Sequence, residues 1–207
     1  AAFHAAWHEL YIGHPKISAL FLQPIEKSMK SNQLTPLVRL MIMMLSSLYC
    51  WIQGRNEECQ KLVSEALRLA DESGVHIMDH QTLGSAITSA LSVGDIERAQ
   101  ELLQRMEGDI AAMGRAFYYY LASWHAASRH DLAAALEFAT TGLEFAERIE
   151  APFHMAVNAL GAAEIHHELK NHVASVRLYK RAWHIAREMN SPALLFMCNL
   201  VAAQFAL

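Results

Sequence analysis

Cysteine, glycine and proline are all scarce in this sequence. Its 207 residues include 3 cysteines, 9 glycines and 5 prolines. An odd number of cysteines without tight spacing does not build a disulfide framework and is typical of a reducing compartment, so we expect a cytoplasmic protein. Strand-like alternation of Val, Ile and Thr is almost absent, and helix formers such as Ala, Leu and Glu dominate, which predicts an all-α fold.

An excess of positive charge is also lacking. The sequence has 17 Lys and Arg against 21 Asp and Glu, which gives a formal net charge of −4. A protein that binds nucleic acid directly needs a basic surface, so we expect no nucleic-acid contact by this segment. The most apolar stretch, 37–52, is interrupted by Arg39 and by Ser46 and Ser47. It is too short to span a membrane, and we expect no membrane partner.

Motifs for catalysis or cofactor binding are missing as well. The sequence contains neither a phosphate-binding loop nor a nucleophile elbow. The His-Glu pairs that begin at His8 and His167 resemble the start of a zinc-protease motif, but Ile12 and Asn171 stand where the second histidine belongs. We therefore expect no bound metal, no cofactor and no enzymatic activity, although the chain has 12 histidines.

What the sequence does contain is a repeat of about 40 residues. Five junctions, spaced by 41, 40, 36 and 41 residues, each separate an apolar helical stretch from an amphipathic one: Gly13, Gly54, Gly94, His130 and Asn171. Five positions after each junction lies a compact residue: Ser18, Cys59, Ala99, Ala135 and Val176. Eight positions before each lies a small one: Ala5, Ser46, Ala86, Ala122 and Ala163. Small residues at such positions let neighbouring helices approach closely.

The junctions divide the chain into helix pairs. Pro36, Pro152 and Pro192 each begin the first helix of a pair, where a missing N–H is tolerated, and Gly74 and Gly108 end second helices. The predicted pairs are 1–13 with 14–31, 35–53 with 55–73, 77–93 with 95–108, 112–129 with 131–149 and 151–170 with 172–190, and 192–207 begins a further unit. A single pair cannot bury both its faces, so we expect the pairs to stack into one solenoid over 1–207.

Several segments resemble a known repeat superfamily. The Gly94-Asp95 turn followed by Ala99 and Leu102 is similar to the turn and second-helix packing pair of tetratricopeptide (TPR) repeats. The segments 65–74 and 142–148 resemble second helices of the MalT-type helical repeat domain of bacterial transcriptional activators. The period near 40 is longer than the usual 34, and the Trp-Leu-Gly opening is missing.

The resemblance implies a TPR-like right-handed superhelix of about five antiparallel helix pairs plus one terminal helix. It further implies a regulatory domain of a transcriptional activator that binds an effector or a protein partner, with possible self-association. A general TPR-type interaction scaffold unconnected with transcription is the alternative. Because the chain lacks an initial Met and ends within an apolar helical run, we expect it to be a fragment of a longer protein.

Counting back from the junctions predicts three rows of first-helix residues on the inner face of the superhelix. The rows are Phe3, Met44, Gly84, Tyr120 and Gly161; Trp7, Leu48, Thr88, Trp124 and Ile165; and Leu10, Trp51, Leu91, Ala127 and Glu168. Phe117 and Asn158 extend the rim. An exposed surface rich in Trp and Tyr is typical of a binding site.

We therefore predict a binding groove for a peptide, a helix or a small amphipathic effector. Its apolar anchors and orienting polar groups are Trp51, Phe117, Tyr120, Trp124, His125, Asn158 and Glu168. A second interpretation remains open, in which the superhelix is tightly wound and these rows pack against one another as core.

Overall fold

The structure is a computed structural model that describes residues 2–29, 34–107 and 112–206. Within them, eleven helices follow one another: α1 (Ala2–Ile12), α2 (Pro15–Ser28), α3 (Pro36–Ile52), α4 (Asn56–Ser73), α5 (Asp79–Ser92), α6 (Ile96–Glu107), α7 (Ala112–Ser128), α8 (Leu132–Arg148), α9 (Pro152–Glu168), α10 (His172–Glu188) and α11 (Pro192–Phe205). The predicted all-α, TPR-like fold of helix pairs is confirmed. Gly108, predicted to end a helix, lies outside the described residues.

The helices begin where local chemistry favours a start. Pro36, Pro152 and Pro192 occupy the first turns of α3, α9 and α11, where the N–H that proline lacks has no partner to lose. Asp131 and Asn171 precede α8 and α10, and each side chain accepts a hydrogen bond from the backbone amide three residues later. These caps satisfy one of the free donors at each helix start.

Each of the eight turns that the structure describes in full contains one left-handed residue. In the first half of the chain this residue is glycine: Gly13, Gly54, Gly74 and Gly94. In the described turns of the second half it is another residue: His130, Glu150, Lys170 and Asn190 have φ of 60°, 52°, 62° and 47°. The four helices that follow them begin at residues 132, 152, 172 and 192, so the half-repeat there has a constant length of 20 residues.

The fifth junction was predicted one position too late, because the left-handed residue of this turn is Lys170 and not Asn171. Lys170 has φ of 62°, whereas Asn171 is the N-cap of α10. Five residues after the corrected junction lies Ser175, which is 1% exposed, while the predicted Val176 is 45% exposed. The reason is that an Asn side chain stabilises a helix most as an N-cap, which leaves the preceding residue to make the turn.

The chain consists of two compact units, Ala1–Leu102 and Leu103–Leu207. In the first unit, α1 packs on α2, and α3 packs on α4 and α5. In the second unit, α7 packs on α8 and α9, and α9 also contacts α8, α10 and α11. Buried apolar residues of α8 to α11 form the main core of this unit, among them Leu143, Leu160, Ile185 and Leu194. That residues 1–207 form a single solenoid stays a prediction.

Among the described residues, no helix combines the length and the apolar character that a membrane span requires.

Candidate functional site

An aromatic series runs along one side of α7 in the second unit. The rings of Phe117 and Tyr120 are stacked, with centroids 6.2 Å apart and planes 15° apart. The next pair, Tyr120 and Trp124, has centroids 6.3 Å apart. Spacings of three and four residues place all three rings on one side of the helix, and all three are half-buried. The Tyr120 ring packs against the core of the second unit, so the second interpretation, a packed core, stays open beside the groove.

Helix α9 supplies the polar groups beside this series. The half-buried His154 meets the Phe117 ring edge-on, with centroids 6.0 Å apart. Burial lowers the pKa of His154, so the imidazole is neutral near neutral pH. Glu164 lies further along the same helix and is also half-buried. We call Phe117, Tyr120, Trp124, His154 and Glu164 together the aromatic face.

The Glu164 carboxyl group is held in an unfavourable environment for a charge. Burial and, to a smaller extent, repulsion by the neighbouring Glu168 carboxylate raise its pKa to about 7. The pKa of the Tyr120 phenol is also raised, first by burial and then by the charge of Glu164. Within the described part of the chain, neither Glu164 nor Glu168 has a cationic side chain as an ion-pair partner.

Gly161 leaves free space one turn before Glu164. No atom outside its own stretch of helix lies within 4 Å of the position that a Cβ would take there. A glycine inside a helix is less favourable than alanine by about 1 kcal/mol, and it is usually explained by close packing. Packing within this chain does not require glycine at this position.

Asn158 and His125 are buried in the structure. Asn158 is 1% exposed and its Nδ2 donates to the backbone oxygens of Ala116 at 3.1 Å and His154 at 2.8 Å. The side chain thus ties α9 to α7. His125 is 8% exposed and lies within the packing of α7. Of the seven predicted site residues, these two have an environment typical of the core.

Trp51 and Glu168 have surroundings different from those of the α7 aromatic residues. Trp51 belongs to the first unit, where its Nε1 donates to Ser92 Oγ at 3.1 Å and so joins α3 to α5. Glu168 is exposed one turn after Glu164, near the end of α9. The structure therefore brings Phe117, Tyr120 and Trp124 together on α7. Glu168 lies on the neighbouring helix α9, one turn after Glu164.

Sequence reasoning missed Glu164 because of the one-residue error at the fifth junction. Counted from Asn171, the row of Trp124 receives Ile165, which is 3% exposed and belongs to the core. Counted from Lys170, the same row receives Glu164. A signal was present, since Asp131 and Asn171 are both N-caps and the left-handed residue directly precedes such a cap.

A separate cleft is found in the first unit, between α2 and the neighbouring parts of α3 and α4. It has a volume of about 730 Å³, and charged residues form much of its lining. Arg55 there pairs with Glu58 at 2.8 Å and lies over the Tyr49 ring at 5.6 Å. Glu26 accepts a hydrogen bond from Ser46 Oγ at 2.6 Å. Because these groups have partners within the chain, the cleft offers less unsatisfied chemistry than the aromatic face.

Comparisons with known proteins support the fold. No protein-family model and no curated protein matches the sequence. The chain is similar to BtubC (BKLC) from P. vanneervenii, with a TM-score of 0.62 and 16% identity over 89% of this chain and 78% of that one. It is also similar to the apo form of RapI, with a TM-score of 0.61 and 14% identity over 98% of this chain.

These likenesses concern the fold alone, and the chain covers only 59% of RapI. They agree with a TPR-like helical repeat, as the sequence predicts. The closer resemblance to the MalT-type repeat domain stays a prediction.

Proposed function

We propose that this chain is a binding domain of the helical repeat type and that the aromatic face of its second unit receives a partner peptide. The observation that carries the proposal is the half-open series of Phe117, Tyr120 and Trp124 beside Glu164, a carboxylate without a cationic neighbour among the described residues. Half-exposed Tyr and Trp rings provide large contact areas at little entropic loss, and they are frequent energetic centres of interfaces.

A binding role is favoured over catalysis by the state of the thiols. Cys50, Cys59 and Cys198 are buried. Burial raises the pKa of all three thiols, in the case of Cys59 to about 11. A nucleophilic cysteine needs the opposite shift, because the thiolate is the reactive form. The proposal therefore includes no enzymatic step.

The finer assignment, to the regulatory part of a bacterial transcriptional activator, rests on the resemblance of segments 65–74 and 142–148 to MalT-type second helices. In that role the bound peptide is the regulatory effector. A DNA-binding domain next to this segment in the full-length protein would support the assignment. A full-length protein without one would favour the general TPR-type scaffold.

The binding function is tested by selecting ligands from a random dodecapeptide library and measuring their affinities by calorimetry. We expect Trp124→Ala to weaken binding about 30-fold, as for the loss of an interface aromatic worth about 2 kcal/mol. Trp183→Ala is the matched control, since Tyr179 and Trp183 of α10 form a similar ring pair with centroids 6.2 Å apart. Failure to select any peptide, or equal losses in both variants at unchanged stability, would contradict the proposal.

A further inference from the structure

Glu164 of the aromatic face and the adjoining Glu168 are carboxyl groups without a cationic partner among the described residues, and this limits which partners the face fits. Two carboxylates of the same unit have partners: Glu147 pairs with Arg181 at 2.5 Å, and Glu188 pairs with His184 at 3.2 Å. Glu164 and Glu168, one turn apart on α9, have no such partner among the described residues. A half-buried carboxylate is destabilising unless it is paired, so the free protein leaves an interaction unmade at this place.

The surroundings of Glu164 match one kind of occupant in shape as well as in charge. Helix α9 packs on α7, where His154 meets the Phe117 ring, and Glu164 lies on the same side of α9 as His154. Tyr120 and Trp124 continue the aromatic series along α7. Gly161 leaves the adjacent part of α9 without a side chain and open. A lysine or arginine side chain has an apolar stem that covers aromatic rings and a cationic head that pairs with a carboxylate.

Resting on the proposed function, we infer that the aromatic face recognises a basic side chain of the partner peptide, with its cationic head on Glu164 and its stem over Tyr120 and Trp124. The open space beside Gly161 lets the peptide approach the Glu164 carboxylate. An acidic peptide would be repelled by Glu164 and Glu168. A purely apolar peptide would bury Glu164 further without a partner, which opposes its binding.

The first test uses the peptides selected on the wild-type protein whose binding depends on Trp124. We expect lysine or arginine to be enriched in them at one position. Replacing that residue by norleucine keeps the stem and removes the charge, and it should weaken binding to the wild type by about tenfold to a hundredfold, as for a hydrogen-bonded charge pair. In the Glu164→Gln variant the same replacement should change the affinity less than about threefold, because the pair is already broken.

Two control variants, Glu137→Gln and Ala133→Leu, distinguish effects at the aromatic face from effects of net charge or of an added side chain elsewhere. Glu137→Gln removes an exposed carboxylate of α8, so it makes the same change in net charge away from the aromatic face. It should leave the affinity and the norleucine effect as in the wild type. Gly161→Leu should block peptide binding by filling the open space, whereas Ala133→Leu, at an exposed position of α8, should not. Circular dichroism confirms that each variant is folded.

The outcomes separate the inference from the proposed function. Three results would overturn the inference and leave the binding function standing. The peptides that depend on Trp124 could lack a basic residue, they could be acidic, or the norleucine replacement could weaken binding to Glu164→Gln as much as binding to the wild type. If no selected peptide depends on Trp124, both are wrong. Enrichment of a basic residue together with loss of the norleucine effect in Glu164→Gln supports both.

Discussion

Replacing Gly142 and Gly161 by alanine makes the same chemical change in two successive helices and should shift stability in opposite directions. A Cβ on Gly142 would lie 2.2 Å from Asn158 Oδ1 and 2.8 Å from Tyr119 Cβ. Both distances are too short for any side chain, so neighbouring atoms must move. A Cβ on Gly161 meets nothing within 4 Å.

The magnitude of the Gly142→Ala effect follows from what holds the neighbours in place. The Asn158 amide donates to Ala116 and His154, so displacing it breaks buried hydrogen bonds, a loss of about 1–3 kcal/mol. Tyr119 Cβ is attached to the α7 backbone, so the helix itself must shift, at about 1–3 kcal/mol for overpacking. Alanine returns about 1 kcal/mol of helix propensity. We expect a net destabilisation of about 1–5 kcal/mol.

For Gly161→Ala only the propensity remains, and we expect a stabilisation of about 0.5–1 kcal/mol. Urea unfolding of the wild type and both variants, followed by circular dichroism at 222 nm, measures the differences through the transition midpoints at constant slope. If Gly142→Ala were as stable as the wild type, α7, α8 and α9 would not meet closely at this position. If Gly161→Ala were destabilising, the surface above Gly161 would not be open.

Two further predictions concern charge and turns. The pKa of Glu164 is about 7 in the folded chain, against an ordinary 4.5 that applies to the unfolded chain. The folded state therefore binds the proton more tightly, and the stabilisation that is present below pH 4.5 is lost as pH rises through 7. Glu164→Gln should remove this decline, up to about 3 kcal/mol in urea unfolding at pH 5 and pH 8, and an unchanged decline would contradict the environment assigned to Glu164. His130→Gly and Lys170→Gly should each stabilise the fold by about 0.5–1 kcal/mol, since both residues are left-handed; a fall in melting temperature for either would argue against those turns.

Much of the helical architecture was accessible from sequence because it depends on local chemistry. Pro152 and Pro192 begin α9 and α11 as predicted, since proline at a helix start loses no hydrogen bond. The turns of the second unit were harder to place, because a lysine at 170 carries no mark of the left-handed conformation that a glycine would suggest. Only Asn171, the N-cap of the following helix, indicates where this turn lies, because the left-handed residue comes one position before it.

The site was only partly accessible for a related reason. Phe117, Tyr120 and Trp124 were predicted together because their spacing on α7 is independent of the junction error. The surroundings of Asn158 were not predictable, since its burial depends on Gly142 of another helix, and the contact between the two is long-range in sequence. An amide and a glycine that look unrelated along the chain become one packing unit in the fold.

Two positions of the second unit depart from local rules without a reason in the packing of this chain. Gly161 interrupts a helix that nothing crowds, and Glu164 places a carboxylate where burial disfavours its charge. Elsewhere, helix caps and small residues agree with the fold, as expected of a sequence selected to specify one structure. Residues that break such agreement are expected at functional sites. Both exceptions lie one turn apart on α9, which packs on the helix that carries Tyr120 and Trp124, and this coincidence is what folding alone does not explain.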